Sequence, residues 1–109
     1  MNLRIEKSLL FCDDVTGQFG WYFDQAGEEV AWQFFGAIDQ TLLKLSRQPD
    51  LGSRRKFRHP LLQSLRSSPV EKPFGKILIF YRTTENILQA WRLMHGARDL
   101  PRRLIEPLS

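Results

Sequence analysis

The apolar positions of this chain change period several times, and each change marks an element. Over residues 2–10, Leu3, Ile5 and Leu9 alternate with Arg4, Glu6 and Ser8. A period of two predicts a half-buried strand. Lys7 interrupts it, which predicts a sheet edge. From residue 13 to 25 the spacing lengthens: Val15, Phe19, Tyr22, Phe23 and Ala26 recur every three or four positions and share one helix face. Asp13 or Asp14 can cap this helix, and Gly27 breaks it. Gly17 and Gly20 lie inside it at about 1 kcal/mol each relative to Ala, which predicts close approach of another backbone. Glu28–Arg47 is the clearest helix. Val30, Phe34, Ile38, Leu42 and Leu45 form a stripe widened by Ala31, Phe35 and Ala37. Glu28 and Glu29 in the first turn and Lys44 and Arg47 in the last complement the helix dipole. Pro49 and Gly52 end it.

The second half returns to strand periods. Residues 61–66 read as a short strand, with Ser67, Ser68 and Pro69 as a loop. Residues 76–82 and Ile87–His95 are β-rich runs around a polar connection, the pattern of a hairpin. A short helix over residues 100–105 follows, with Asp99 as its cap, Pro101 in its first turn and Pro107 closing it. The predicted fold is a single α+β domain spanning residues 1–109. An N-terminal strand precedes a two-helix hairpin packed on one face of a small antiparallel sheet, in the order β-α-α-β-β-β. In a plain pleat Arg92 groups with Leu88, Ala90 and Met94, and His95 with Ile87, Trp91 and Leu93. Both faces of that strand are largely apolar. The helices cover one, and the other is expected to need a partner. Trp21 and Trp32 fall off the helix stripes; they either pack on neighbouring loops or anchor a partner.

A chain of 109 residues buries about 65% of its unfolded surface, enough for one core without staples. Net charge is +4, which fits either an ordinary basic soluble protein or one with an acidic partner, nucleic acid or an acidic polypeptide; charge alone does not choose. With one cysteine, Cys12, no intramolecular disulfide and no thiolate zinc cluster can form. Beside Asp13 and Asp14 it reads as a small buried hydrophobe, not a nucleophile. The N-terminus lacks a signal peptide's apolar core, and no apolar run approaches the ~18 residues of a membrane span. A cytoplasmic location and no membrane partner are expected.

The chain has no glycine-rich phosphate loop, HExxH, paired-cysteine motif or GxSxG, and its only histidines are His59 and His95. Neither cofactor nor metal is predicted. What remains is arginine. Arg66, Arg82, Arg92 and Arg98 are expected to converge on the open face or edge of the sheet, where their planar forks suit phosphate or carboxylate. The basic loop over residues 53–60 adds Arg54, Arg55, Lys56, Arg58 and His59. His95 can transfer protons near neutrality or donate to a turn carbonyl; the structural role is the expectation.

These residues resemble a known family. Pro73-Phe74, then Ile79-Phe80-Tyr81-Arg82, then Trp91-Arg92-Leu93-Met94-His95-Gly96-Ala97-Arg98-Asp99-Leu100-Pro101 are similar to the C-terminal half of ParE toxins in the RelE/ParE superfamily. Trp21-Tyr22-Phe23, Ala37-Ile38-Asp39 and residues 45–52 are similar to the family's helical hairpin. The resemblance implies the toxin of a bacterial type II toxin–antitoxin pair. Its antitoxin would wrap the helical hairpin and sheet, with Trp21, Trp32 and Phe35 as contacts. ParE members poison DNA gyrase by binding it, which would put Arg82, Arg92, His95, Arg98 and Asp99 at the target. RelE members cleave messenger RNA at the ribosome; here Arg66, Arg82, His95 and Arg98 would be the catalytic candidates. His95 precedes Arg98 instead of following it, and no tyrosine or histidine comes after. That departure points to the ParE branch and away from an enzyme. An inactive partner-binding relative is a third reading.

Overall fold

Ser8, not an aspartate, starts the first helix. Its Oγ accepts from the Phe11 N–H at 3.0 Å and donates to the Trp91 carbonyl at 2.7 Å. The N-cap therefore ties the helix to a strand distant in sequence. The computed structural model describes residues 2–96 and Leu104. It contains β1 (Arg4–Lys7), α1 (Leu9–Ala26), α2 (Glu28–Arg47), β2 (Ser53–Arg54), β3 (Arg66–Pro69), β4 (Ile77–Thr83) and β5 (Ile87–His95), with 3₁₀ turns at Pro49–Leu51 and Pro60–Leu62. Because α1 begins at Leu9, Phe11 and Val15 turn inward. Cys12, expected to be buried, is exposed. Apart from Leu104, which is helical, the expected C-terminal helix and the capping role of Asp99 lie outside the described residues.

The predicted β-α-α-β-β-β order holds, with the two-residue β2 added. Strands run β1-β5-β4-β3-β2 across the sheet. β1 is an edge strand, as its pattern predicted, but it lies parallel to β5, while the other pairings are antiparallel. The sheet is therefore mixed, not purely antiparallel. The two intervening helices supply the long connection that a parallel neighbour requires. The strand expected over 61–66 lies farther on. Pro60 opens a 3₁₀ turn, Leu62 and Leu65 are drawn into a core, and Ser67 and Ser68 pair with Phe80 and Ile79. Pairing with β4 overrides the low strand propensity of Ser-Ser-Pro.

Two cores result. On the helix side, Phe11, Val15, Phe34, Ile38, Leu42 and Leu45 pack on Ile77, Ile79, Tyr81, Leu88, Ala90 and Leu93. The opposite face was expected to await a partner. It is covered by the chain itself, with Leu62, Leu65, Phe80 and Leu104 buried together and Phe57, Leu78, Trp91 and Met94 against them. A β-bulge reconciles β5 with both cores. Phe80 pairs with Arg92 and Tyr81 with Ala90, so Trp91 is the extra residue. The bulge resets the alternation. Leu93 therefore joins Ala90 on the helix side, while Trp91 and Met94 join the second core. That differs from the plain-pleat grouping.

The close backbone approach expected at Gly17 and Gly20 is absent among the described residues. A Cβ at either would meet nothing within 4 Å beyond its chain neighbours and its own helix backbone. Gly17→Ala and Gly20→Ala should each stabilise the fold by about 1 kcal/mol through helix propensity and unfolded-state entropy. Urea unfolding checks this, and a loss of stability in either variant would show a contact at that position.

Candidate functional site

Of the four arginines expected to converge, Arg66, Arg82 and Arg92 do not; each is held at its own place. Arg66, opposite Tyr81 on β3, donates to the Gly52 carbonyl at 2.8 Å and pairs with the Asp50 carboxylate at 3.3 Å. It clamps the turn after α2. Arg82, opposite Gln89 on β4, donates to the Leu61 carbonyl at 2.6 Å, and its guanidinium carbon lies 4.8 Å from the Trp91 ring centroid. Burial pushes its pKa below the usual arginine value. The Nε of Arg82 and the Nε1 of Trp91 are buried without an acceptor among the described residues. Arg82 therefore holds the 60–62 turn over the second core.

Arg92 forms a two-pronged bond with Asp14 of α1, Nε to Oδ2 at 2.7 Å and Nη2 to Oδ1 at 3.0 Å. The same Oδ2 accepts from the Leu93 N–H at 3.0 Å. Asp14, expected only as a possible helix cap, thus binds the helical hairpin to the bulged end of β5. Periodicity gives no signal for such a partner, because the link joins a helix to a distant strand.

His95 is exposed at the end of β5, opposite Ile77. The expected bond to a turn carbonyl is not among those of the described residues. It lines a cleft of about 690 Å³ with Gln18, Trp21, Tyr22, Phe74 and Lys76. The Trp21 and Tyr22 rings meet edge to face at 5.3 Å, and Tyr22 also packs edge-on against Phe74 at 5.2 Å. Burial raises the Tyr22 hydroxyl pKa above its ordinary value. Arg98 and Asp99 lie outside the described residues.

A second feature is aromatic. Trp32 on α2 is 56% exposed and Phe35 is 39% exposed. Their rings are 5.9 Å apart, and Phe19 of α1 stands edge-on to both, at 5.0 and 6.3 Å. Phe23, also exposed, lies 6.4 Å from Phe19. The off-stripe position of Trp32 is explained by this cluster: it packs on aromatic neighbours and still faces outward. Trp21, equally exposed, belongs to the cleft. Phe19 and Phe23 fall on the expected core stripe, yet they extend this surface: Phe19 packs on Trp32 and Phe35, and Phe23 is exposed beside it. The two surfaces offer aromatic anchors with polar tips, the composition of a protein interface. No helix of the described residues is long and apolar enough to cross a membrane.

The family model described as ParE toxin of type II toxin-antitoxin system, parDE, matches residues 5–100. Among solved structures, the chain is similar to one titled "Chromosomal ParDE TA system from P. aeruginosa". The TM-score is 0.70 at 16% identity, covering 87% of this chain and 97% of that one. At that identity the likeness shows the fold. No functionally curated protein matches.

Proposed function

The chain belongs to the ParE toxin family of type II toxin–antitoxin systems, and from that premise we propose that it inhibits DNA gyrase by binding and is neutralised by a cognate antitoxin. The family match over residues 5–100 carries this reading. The disposition of the arginines favours binding over RNA cleavage. Arg66, Arg82 and Arg92 hold Gly52, Leu61 and Asp14, so their forks are committed to the fold. A ribonuclease needs such forks free beside an acid or base to offset charge in the transition state. The target contact is assigned to the end of β5 and the residues after it, with His95, Arg98 and Asp99. Arg92, through Asp14, and Arg82, through Trp91, then hold β5, the strand that ends at His95. The antitoxin is assigned to the aromatic cluster of Phe19, Trp32 and Phe35 and to the neighbouring cleft beside Trp21, where large rings stand exposed among the described residues.

The test is a gyrase reaction on plasmid DNA with purified, antitoxin-free protein. The expected results are loss of supercoiling and accumulation of linear, gyrase-bound DNA. Added antitoxin should restore supercoiling for the wild-type toxin and fail to do so for a Trp32→Ala, Phe35→Ala variant that still inhibits. Normal supercoiling in the presence of folded, growth-inhibiting toxin would sink the gyrase reading and direct attention to ribosome-bound message. Full rescue of the double variant would remove the aromatic cluster from the antitoxin interface.

A further inference from the structure

The basic character of this chain comes from one segment. Residues 51–70 hold five of its sixteen Lys and Arg residues and none of its twelve Asp and Glu residues. Elsewhere eleven cations face twelve acids, so the net charge of +4 resides in this segment. The fold sorts its five cations into two sets. Arg66 clamps Gly52 and Asp50. Arg55 turns inward, with its guanidinium carbon 5.5 Å from the Phe57 ring centroid and 5.8 Å from that of Phe80, and its Nη1 3.4 Å from the Ser67 hydroxyl. Arg54, Lys56 and Arg58 alternate with the partly buried Arg55 and Phe57 and are exposed. No ion pair among the described residues involves them. Three cations with no ion pair among the described residues therefore project from a segment anchored by inward-facing Arg55 and Phe57.

We infer that Arg54, Lys56 and Arg58 form a contact strip for the phosphate backbone of duplex DNA. Its location separates it from the surfaces assigned above. β2 is the sheet edge opposite β1 and three strands away from β5, whereas the cleft lies at β5 and the aromatic cluster on the helical hairpin. Its composition separates it as well. A protein partner wants an aromatic or apolar anchor at the centre of its footprint, and here Phe57 is turned into the second core. A row of cations whose central aromatic is turned inward, with the exposed Leu51 and Leu61 only beyond its two ends in sequence, suits a polyanion held through its charges and without sequence readout. The inference does not depend on gyrase being the target.

The test is fluorescence anisotropy of a labelled 20-bp duplex titrated with the full chain over a range of salt concentrations. Binding should be weak, in the micromolar range at low salt, and should fall as salt rises. Each phosphate contact contributes a slope of about −0.9 in log K against log salt. Arg54→Gln, Lys56→Gln, Arg58→Gln should therefore flatten the slope by roughly 2–3 while leaving the melting temperature and gyrase inhibition in place. An unchanged slope in the folded triple variant, or no binding at low salt, would overturn the inference. Equal or tighter binding of polyglutamate, lost in the same variant, would reassign the strip to an acidic polypeptide. Preference for single-stranded RNA over the duplex would also overturn it.

Discussion

Arg92→Ala should destabilise the protein by about 3 kcal/mol, the range for breaking a largely buried ion pair by removing one partner. Arg92 and Asp14 have side chains only 11% and 17% exposed, so water replaces little of the lost bond. Asp14 also accepts the Leu93 N–H, and an Asp14 left without its cation would still hold a charge against that strand. For a domain of this size the loss corresponds to a drop in melting temperature of roughly 15 °C. Arg92→Lys should recover only part of it, because an ammonium cannot present two parallel donors to one carboxylate. A double-mutant cycle with Asp14→Ala measures the coupling. Coupling below about 0.5 kcal/mol would show that the pair is not what joins α1 to β5. The result also bears on function. If Arg92→Ala abolishes growth inhibition while lowering stability this much, the loss reports on the anchoring of β5, the strand that ends at His95, not on a contact to the target.

Gly52→Ala should cost about 2–3 kcal/mol. The backbone there is extended, with φ −71°, so conformation does not require glycine; space does. A Cβ would sit 2.7 Å from Cε1 and 2.9 Å from Cζ of Tyr81, a fully buried ring. The Tyr81 hydroxyl accepts the Gly52 N–H at 2.9 Å and donates to the Pro49 carbonyl at 2.7 Å. Tyr81→Phe leaves both groups without that partner, at about 2 kcal/mol. Burial raises the Tyr81 hydroxyl pKa above its ordinary value of 10.0, while the Gly52 bond and the nearby Arg66 pull it down by less. The proton is therefore held more tightly in the folded state. The associated stability is complete below pH 10 and is lost as pH rises past the folded value. Urea unfolding between pH 9 and 11 should show a steeper alkaline decline for the wild type than for Tyr81→Phe. Parallel declines would mean that other groups, Tyr22 among them, account for the whole effect.

How much of this was legible in the sequence depended on the range of the interaction that set each feature. The bounds of α2 followed from an uninterrupted stripe, matched end charges and the Gly27 and Pro49 breaks, all within one element. The β4–β5 hairpin followed because four polar residues, Thr83 to Asn86, connect two β-rich runs. Cys12 and the start of α1 were misread because the decisive cap, Ser8, takes half its bonding from Trp91, a strand residue far along the chain. The 60–69 stretch was misread because burial of Leu62 and Leu65 in a second core outweighed local strand preference.

The sequence by itself determined the α+β class, the order of elements, the helical hairpin and the family, since each rests on local periodicity or on a run of adjacent residues. It also determined that positive charge is concentrated in one segment. Tertiary structure alone decided the parallel pairing of β1, the bulge at Trp91 and the partner of every sheet arginine described. The Asp14–Arg92 bond spans 78 positions, and no period or propensity carries information over that separation. Three strand arginines and Arg98 after them looked like one site because sequence specifies their type and spacing. Which carbonyl, ring or carboxylate each one meets depends on how strands from distant parts of the chain come to lie side by side, and Arg66, Arg82 and Arg92 were each taken by the fold.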